Sequence, residues 1–279
     1  MTEKQMRSMA KPMLVGAALI WGSSFFMMKG IVEVLPPLLL LALRFTVGAL
    51  LLGMVFWMRW RDFTPDYLWR GSVMGAFLFL AYTVQTFGIR YTTPSNNAFL
   101  TAVYCVIVPF LYWAVMGRRP DRYHILSALL CVAVVTLVGA FFYAGHIIAV
   151  EKVSEGGKDI YLLTIVQFGS AAVFCWVGNA LFGSFPPLEV FTPSILGQLA
   201  YLAVMCTGAA LLFQNVGQVW SDPASASILL SLESVFGVLF SVLFYHDPVT
   251  PRLLLGFGLI FVAVVCSETK FSFLRQKTT

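Results

Sequence analysis

The feature that most constrains this chain is a series of apolar runs, each about 20 residues long, the length needed to cross roughly 30 Å of hydrocarbon as a helix. Clear runs lie near residues 12–30, 37–58, 71–90, 96–116, 160–182, 196–219, 223–245 and 251–268, with short polar connectors between them. In lipid, a helix satisfies all its own backbone N–H and C=O groups, so such runs fold as helices. Hydrophobic residues make up 59% of the chain and charged residues only 11%, against about 25% charged in soluble domains. A surface this poor in charge cannot stay wet. The expectation is an all-α, multi-pass integral membrane protein with no extramembrane domain large enough to hold chemistry.

A net charge of +5 raises the question of nucleic acid. The Lys and Arg residues, however, gather in the connectors, as membrane orientation signals do, so no nucleic-acid partner is expected. The five cysteines (Cys105, Cys131, Cys175, Cys206 and Cys266) stand singly inside apolar runs without a C-x-x-C. That reads as small buried hydrophobes rather than a metal or disulfide framework. The N-terminus lacks an A-x-A cleavage site and leads straight into further spans, so it reads as an uncleaved first span.

The chain also repeats itself. An offset of 129 lays "QTFGIRYTTPSNNAFL" (85–100) on "QNVGQVWSDPASASIL" (214–229), pairing Gln85 with Gln214, Gly88 with Gly217 and Pro94 with Pro223. More weakly, "IWGSSFFMMKG" (20–30) resembles "FYAGHIIAVEK" (142–152), and "ALRF" (42–45) resembles "IVQF" (165–168). The repeats are expected over 12–139 and 140–268, with cytoplasmic tails at 1–11 and 269–279. Each copy should hold five helices. An odd number makes the second copy enter from the other side, so the expectation is two inverted five-helix repeats, an architecture of secondary transporters.

These stretches, with "LIWGSSF", "SLESVFGVLFSVLF" (231–244) and "GFGLIFVAVV", resemble the EamA family of drug/metabolite transporters. The resemblance covers roughly residues 12–268 and implies ten helices in two inverted repeats. It also implies a function: moving small organic metabolites, often amino acids or related compounds, outward across the bacterial inner membrane.

One stretch departs from that pattern. Residues 124–150 should supply two crossings, but the apolar length there is about 27 residues, or roughly 40 Å as a helix. That suits one tilted span, which leaves about nine clear spans and a shortened junction. The basic residues argue otherwise. Ten crossings put 14 of them inside and 3 outside with Arg44 within a span, whereas nine crossings give 10 and 7. Ten crossings, with both termini cytoplasmic, obey the positive-inside rule better.

Ionisable residues within spans mark function or pairing. Glu233 lies near mid-membrane, where a carboxyl stays protonated, pairs with a cation or lines a wet cavity. Arg44 is shallow enough for its side chain to reach the interface. Both are candidates for coupling or helix pairing. Gln85 and Gln214, in equivalent positions, are candidates for substrate binding, together with Trp21, Tyr82, Tyr104, Tyr143 and His146, whose flat faces and polar tips suit organic substrates. These residues are expected to line one central cavity. Asn96 and Asn97 should cap a helix start.

The function expected is a secondary transporter, an exporter working by alternating access, with protons a candidate coupling ion. The alternative is a non-transporting or channel-like membrane protein inactivated by the short junction. No P-loop is present to use ATP, no H-E-x-x-H or serine–histidine pairing suggests an enzyme, and no cofactor is expected.

Overall fold

The computed structural model describes residues 3–117, 137–246, 248–251, 254–256, 258–260 and 262. Among these the chain is helical, with no strand: α1 (Glu3–Ile31), α2 (Pro37–Val55), α3 (Pro65–Arg90), α4 (Pro94–Met116), α5 (Leu137–Ser154), α6 (Ile160–Phe182), α7 (Pro193–Val219) and α8 (Pro223–Phe244). All but α5 are candidate membrane spans by length and composition, and they fall on the runs expected. The expected span at 251–268, the C-terminal tail and the first part of the 124–150 stretch lie largely or wholly outside the described residues. Residues from Glu3 onward, expected as a cytoplasmic tail, are helical and continuous with α1, where Arg7 bonds Glu3.

Proline opens five of these helices (α2, α3, α4, α7 and α8). Its fixed φ suits the first helical position, where the missing N–H costs nothing. The Thr93 side chain caps α4 by accepting from Asn96 N at 3.2 Å, and its repeat equivalent Asp222 caps α8 by accepting from Ser225 N at 3.1 Å. This corrects the capping role expected of Asn96 and Asn97. The cap must precede the proline, and Asn97 instead donates from Nδ2 to Gln85 O at 3.1 Å. Both helices are also interrupted by a turn residue, Val103 in α4 and Ser231 in α8, just before Tyr104 and just before the turn of Glu233.

Close contacts set how the helices run past each other. Gly71 and Gly75 on α3 meet Val166 and Ser170 on α6, so these two helices are parallel. Val84 and Phe77 of α3 meet Gly139 and Gly145 of α5, which runs the other way. A Cβ on Gly75 would sit 2.2 Å from Ser170 Oγ and 2.7 Å from the Gln167 carbonyl oxygen, which cannot move independently of the backbone. Gly75→Leu is therefore expected to push α3 and α6 apart and destabilise the fold by at least about 1–3 kcal/mol. An unchanged melting transition in detergent would refute this tight contact.

One face of the bundle carries the N-terminal half of α1. There the Arg7 guanidinium lies 5.7 Å from the Trp220 ring, Arg59 pairs with Asp159, and Lys158 and Arg70 both reach Asp66. At the opposite face, Lys29 Nζ donates to the carbonyls of Ile89 and Arg90 at 3.1 and 3.0 Å, and Arg90 Nε returns a bond to Val32 O. Cations thus stabilise the C-terminal ends of α1 and α3.

α4 ends on the N-terminal face beside the start of α8, but α5 begins beside Val84 toward the opposite face. α5 then returns to the N-terminal face, where Val153 O accepts from Arg70 Nη1 at 2.8 Å. Its 18 residues span about 27 Å. Of the 124–150 stretch, residues 137–150 lie in α5, and 124–136 lie outside the described residues.

Candidate functional site

In the half of the bundle away from the N-terminal face, α1, α2, α3, α5 and α8 surround a cavity of about 20 Å³, room for roughly one water. Trp21, Arg44, Tyr82, Gln85, Tyr143 and Glu233 line it. Its wall is aromatic. Phe45 meets Tyr82 edge-on with ring centroids 5.5 Å apart, Tyr82 lies 5.7 Å from Tyr143, and Tyr143 lies 5.8 Å from Tyr104. Several polar tips of this wall are bonded within the protein. Trp21 Nε1 donates to Cys206 O at 2.7 Å, Tyr143 Oη to Gln85 Oε1 at 2.7 Å, and Gln85 Nε2 to Thr101 Oγ1 at 3.0 Å. These bonds orient the rings.

The two ionisable groups are arranged differently. Arg44 does not reach the interface and is only 2% exposed. Its Nε donates to Thr207 Oγ1 at 3.2 Å, its Nη1 contacts the Met28 sulfur at 3.2 Å, and its guanidinium lies 5.4 Å from the Tyr82 ring centre. A guanidinium carries five N–H donors. Its others make no hydrogen bond to a described residue, and no described carboxylate pairs with it. Glu233 is 4% exposed and its Oε1 has no hydrogen-bond partner. The Tyr104 hydroxyl approaches this carboxyl without completing a well-formed hydrogen bond. The cavity therefore holds a cation and a carboxyl that are not paired with each other.

Three residues expected at the cavity are placed elsewhere. Tyr104 stands behind Tyr143 and beside Glu233. His146 and Gln214 lie in a separate buried polar cluster. The reason is depth. Gln85 and Gln214 each sit five residues before the end of their helix, but α3 ends on one face at Arg90 and α7 on the other at Val219.

Other residues were not singled out from the sequence. Thr207 and the Cys206 carbonyl are presented by a π-helical turn, Leu202–Ala209, inside α7. Such turns often occur at functional sites, but nothing in the local sequence announces this one. Gln167 and Asn215 belong to the separate cluster with His146, and the repeat offsets could have found them. Cys105, Cys175 and Cys206 are free and buried. Among the described residues no group of three or more His, Cys, Asp or Glu is placed to hold a metal ion.

Comparison with known proteins gives the site its context. The profile of the EamA-like transporter family matches residues 9–139 and again 132–269. An "Uncharacterized transporter" of Archaeoglobus fulgidus is 30% identical over 89% of this chain and 82% of its own length. "Uncharacterized transporter YvbV" of Bacillus subtilis is 24% identical over 92% of this chain and 91% of its own. A solved crystal structure shares the fold, with a TM-score of 0.75 and 17% identity over 96% of this chain and 99% of that one. With two matches that together run nearly end to end, the chain belongs to the EamA-like transporter family.

Proposed function

We propose that this protein is a secondary carrier that exports small organic metabolites, amino acids or related compounds, across the bacterial inner membrane by alternating access. The observation that carries this reading is the small, aromatic-walled cavity lined by both Arg44 and Glu233, which do not pair with each other. A buried cation and a buried carboxyl that do not neutralise each other are costly in lipid and mark a ligand path. A cavity of about 20 Å³ cannot admit a metabolite, so the helices around it must separate during each cycle. In this reading Trp21, Tyr82, Gln85 and Tyr143 hold the substrate, Tyr104 backs the wall, and Glu233 exchanges the coupling proton.

The chain crosses ten times as two inverted repeats. Two findings support this: α4 ends and α5 begins on opposite faces, and α3 runs parallel to α6 and antiparallel to α5. The basic residues of the N-terminal face make it cytoplasmic, and a reporter fused after Thr279 should be active only in its cytoplasm-reporting form. Activity of an externally active reporter there would count against the topology. The function itself is tested in proteoliposomes loaded with a metabolite mixture. Saturable, substrate-selective efflux is expected, and unsaturable leak or no flux would reject the carrier reading.

A further inference from the structure

The repeat equivalents of the cavity lining converge on a second place. Offsets of 122, 123 and 129 carry Ser24 to His146, Arg44 to Gln167, Gln85 to Gln214, Thr86 to Asn215 and Ile89 to Gln218. All five of these second-half side chains are at most 3% exposed, and they form a hydrogen-bonded cluster nearer the N-terminal face. Gln167 Nε2 and His146 Nε2 lie 2.7 Å apart. Asn215 Nδ2 donates to Gln167 Oε1 at 2.7 Å and to Thr164 Oγ1 at 3.0 Å. Gln214 Nε2 donates to Gln218 Oε1 at 3.0 Å, and Gln218 Nε2 reaches Ile147 O, next to His146, at 3.4 Å.

Helix pairing alone does not account for this cluster. Burying so many amides in a lipid-embedded core is costly unless every polar atom is satisfied, and two atoms are not. His146 Nδ1 and Asn215 Oδ1 have no partner. Because Gln167 Oε1 accepts from Asn215, its Nε2 is the donor toward His146 Nε2, which leaves the imidazole proton on Nδ1. The cluster thus holds one unused N–H donor and one unused C=O acceptor, and among the cluster side chains no charge.

We infer that this cluster is a second, inner station of the transport path, closed here. When the helix ends at the N-terminal face separate, it takes the polar end of the transported molecule: a group that both accepts and donates hydrogen bonds, such as the carboxyl and amino groups of a zwitterion. The inference rests on the cavity being the substrate site. Inverted repeats supply the physical reason, since exchanging the conformations of the two halves turns the lining of one station into the lining of the other. Lacking the guanidinium, the inner station holds its ligand by neutral hydrogen bonds, which are weaker than charge-assisted ones.

The test uses the full chain in membrane vesicles, with the five native cysteines replaced by alanine and one new cysteine introduced at a time. The probe is sulfonatoethyl methanethiosulfonate, a thiol reagent that does not cross membranes. Thr86→Cys in the cavity should react at least tenfold faster in right-side-out vesicles. Asn215→Cys, and Thr164→Cys as a second variant should the first not fold, should react at least tenfold faster in inside-out vesicles. If Thr86→Cys reacts from outside while Asn215→Cys and Thr164→Cys react from neither side, the cluster is sealed core. The inner station is then overturned and the cavity reading survives. If none of the three reacts from either side, both readings fall.

Discussion

Glu233→Gln should leave the protein folded and flatten the pH dependence of transport. Among the described residues, the groups that face Glu233 are Tyr104 on α4, Tyr143 on α5, and Tyr82 and Arg44 across the cavity. None is a second carboxylate or a histidine, so in this part of the protein Glu233 is the group suited to carry a proton through a cycle. If one proton moves with each substrate, flux should change by up to roughly tenfold per pH unit over its responsive range. The amide keeps the shape of the carboxyl but cannot exchange that proton, so the variant should vary less than about twofold over a range in which the parent varies tenfold. An unchanged profile would make Glu233 structural. The companion variant, Glu233→Ala, separates the two roles further. Because Oε1 has no hydrogen-bond partner, the melting transition should fall by no more than the lost side-chain packing accounts for. A further loss equivalent to a broken buried hydrogen bond, about 1–3 kcal/mol, would point to a structural carboxyl.

How far the sequence could be read depends on which physical signal each feature carries. The spans were legible because hydrocarbon thickness sets their length, but some starts were not: α3 begins at Pro65 rather than near 71 and α7 at Pro193 rather than near 196, prolines that suit a first helical turn. The doubling was legible in the paired Gln85 and Gln214. What the doubling means for the site was not, because Gln85 and Gln214, though equivalent, lie near helix ends on opposite faces. His146 and Gln214 were therefore expected at the cavity and belong to the other cluster. The same logic, carried one step further, maps Arg44 onto Gln167 and Thr86 onto Asn215 and would have found that cluster. The π-helical turn at Leu202–Ala209 is a different matter. It depends on how α7 meets α1 and α2, a tertiary condition that no local pattern records. Arg44 shows the same limit. Its position near a helix end permits snorkelling, but Thr207 and Tyr82 draw the side chain inward.

That inward arginine gives the sharpest contrast between stability and function. Arg44→Met fills a similar volume without a charge. Among the described residues this guanidinium bonds a hydroxyl and a sulfur and meets no counter-ion, so replacing it with an apolar side chain should leave the melting transition equal or raise it. Transport should move the other way. A guanidinium fork grips a carboxylate through two charge-assisted bonds, and a hydrogen bond to a charged group is worth about 1.5–3 kcal/mol. Losing one such contact corresponds to about a 10- to 150-fold fall in kcat/KM for a carboxylate-bearing substrate. Arg44→Lys keeps the charge but not the fork and should recover only part of that loss. The measurement pairs a thermal melt in detergent with proteoliposome flux on the same preparations. A lower melting point with undiminished flux would make Arg44 a strut between α2 and α7. A higher melting point with lost flux would mean that the buried charge is retained, at a cost in stability, for the molecule it binds.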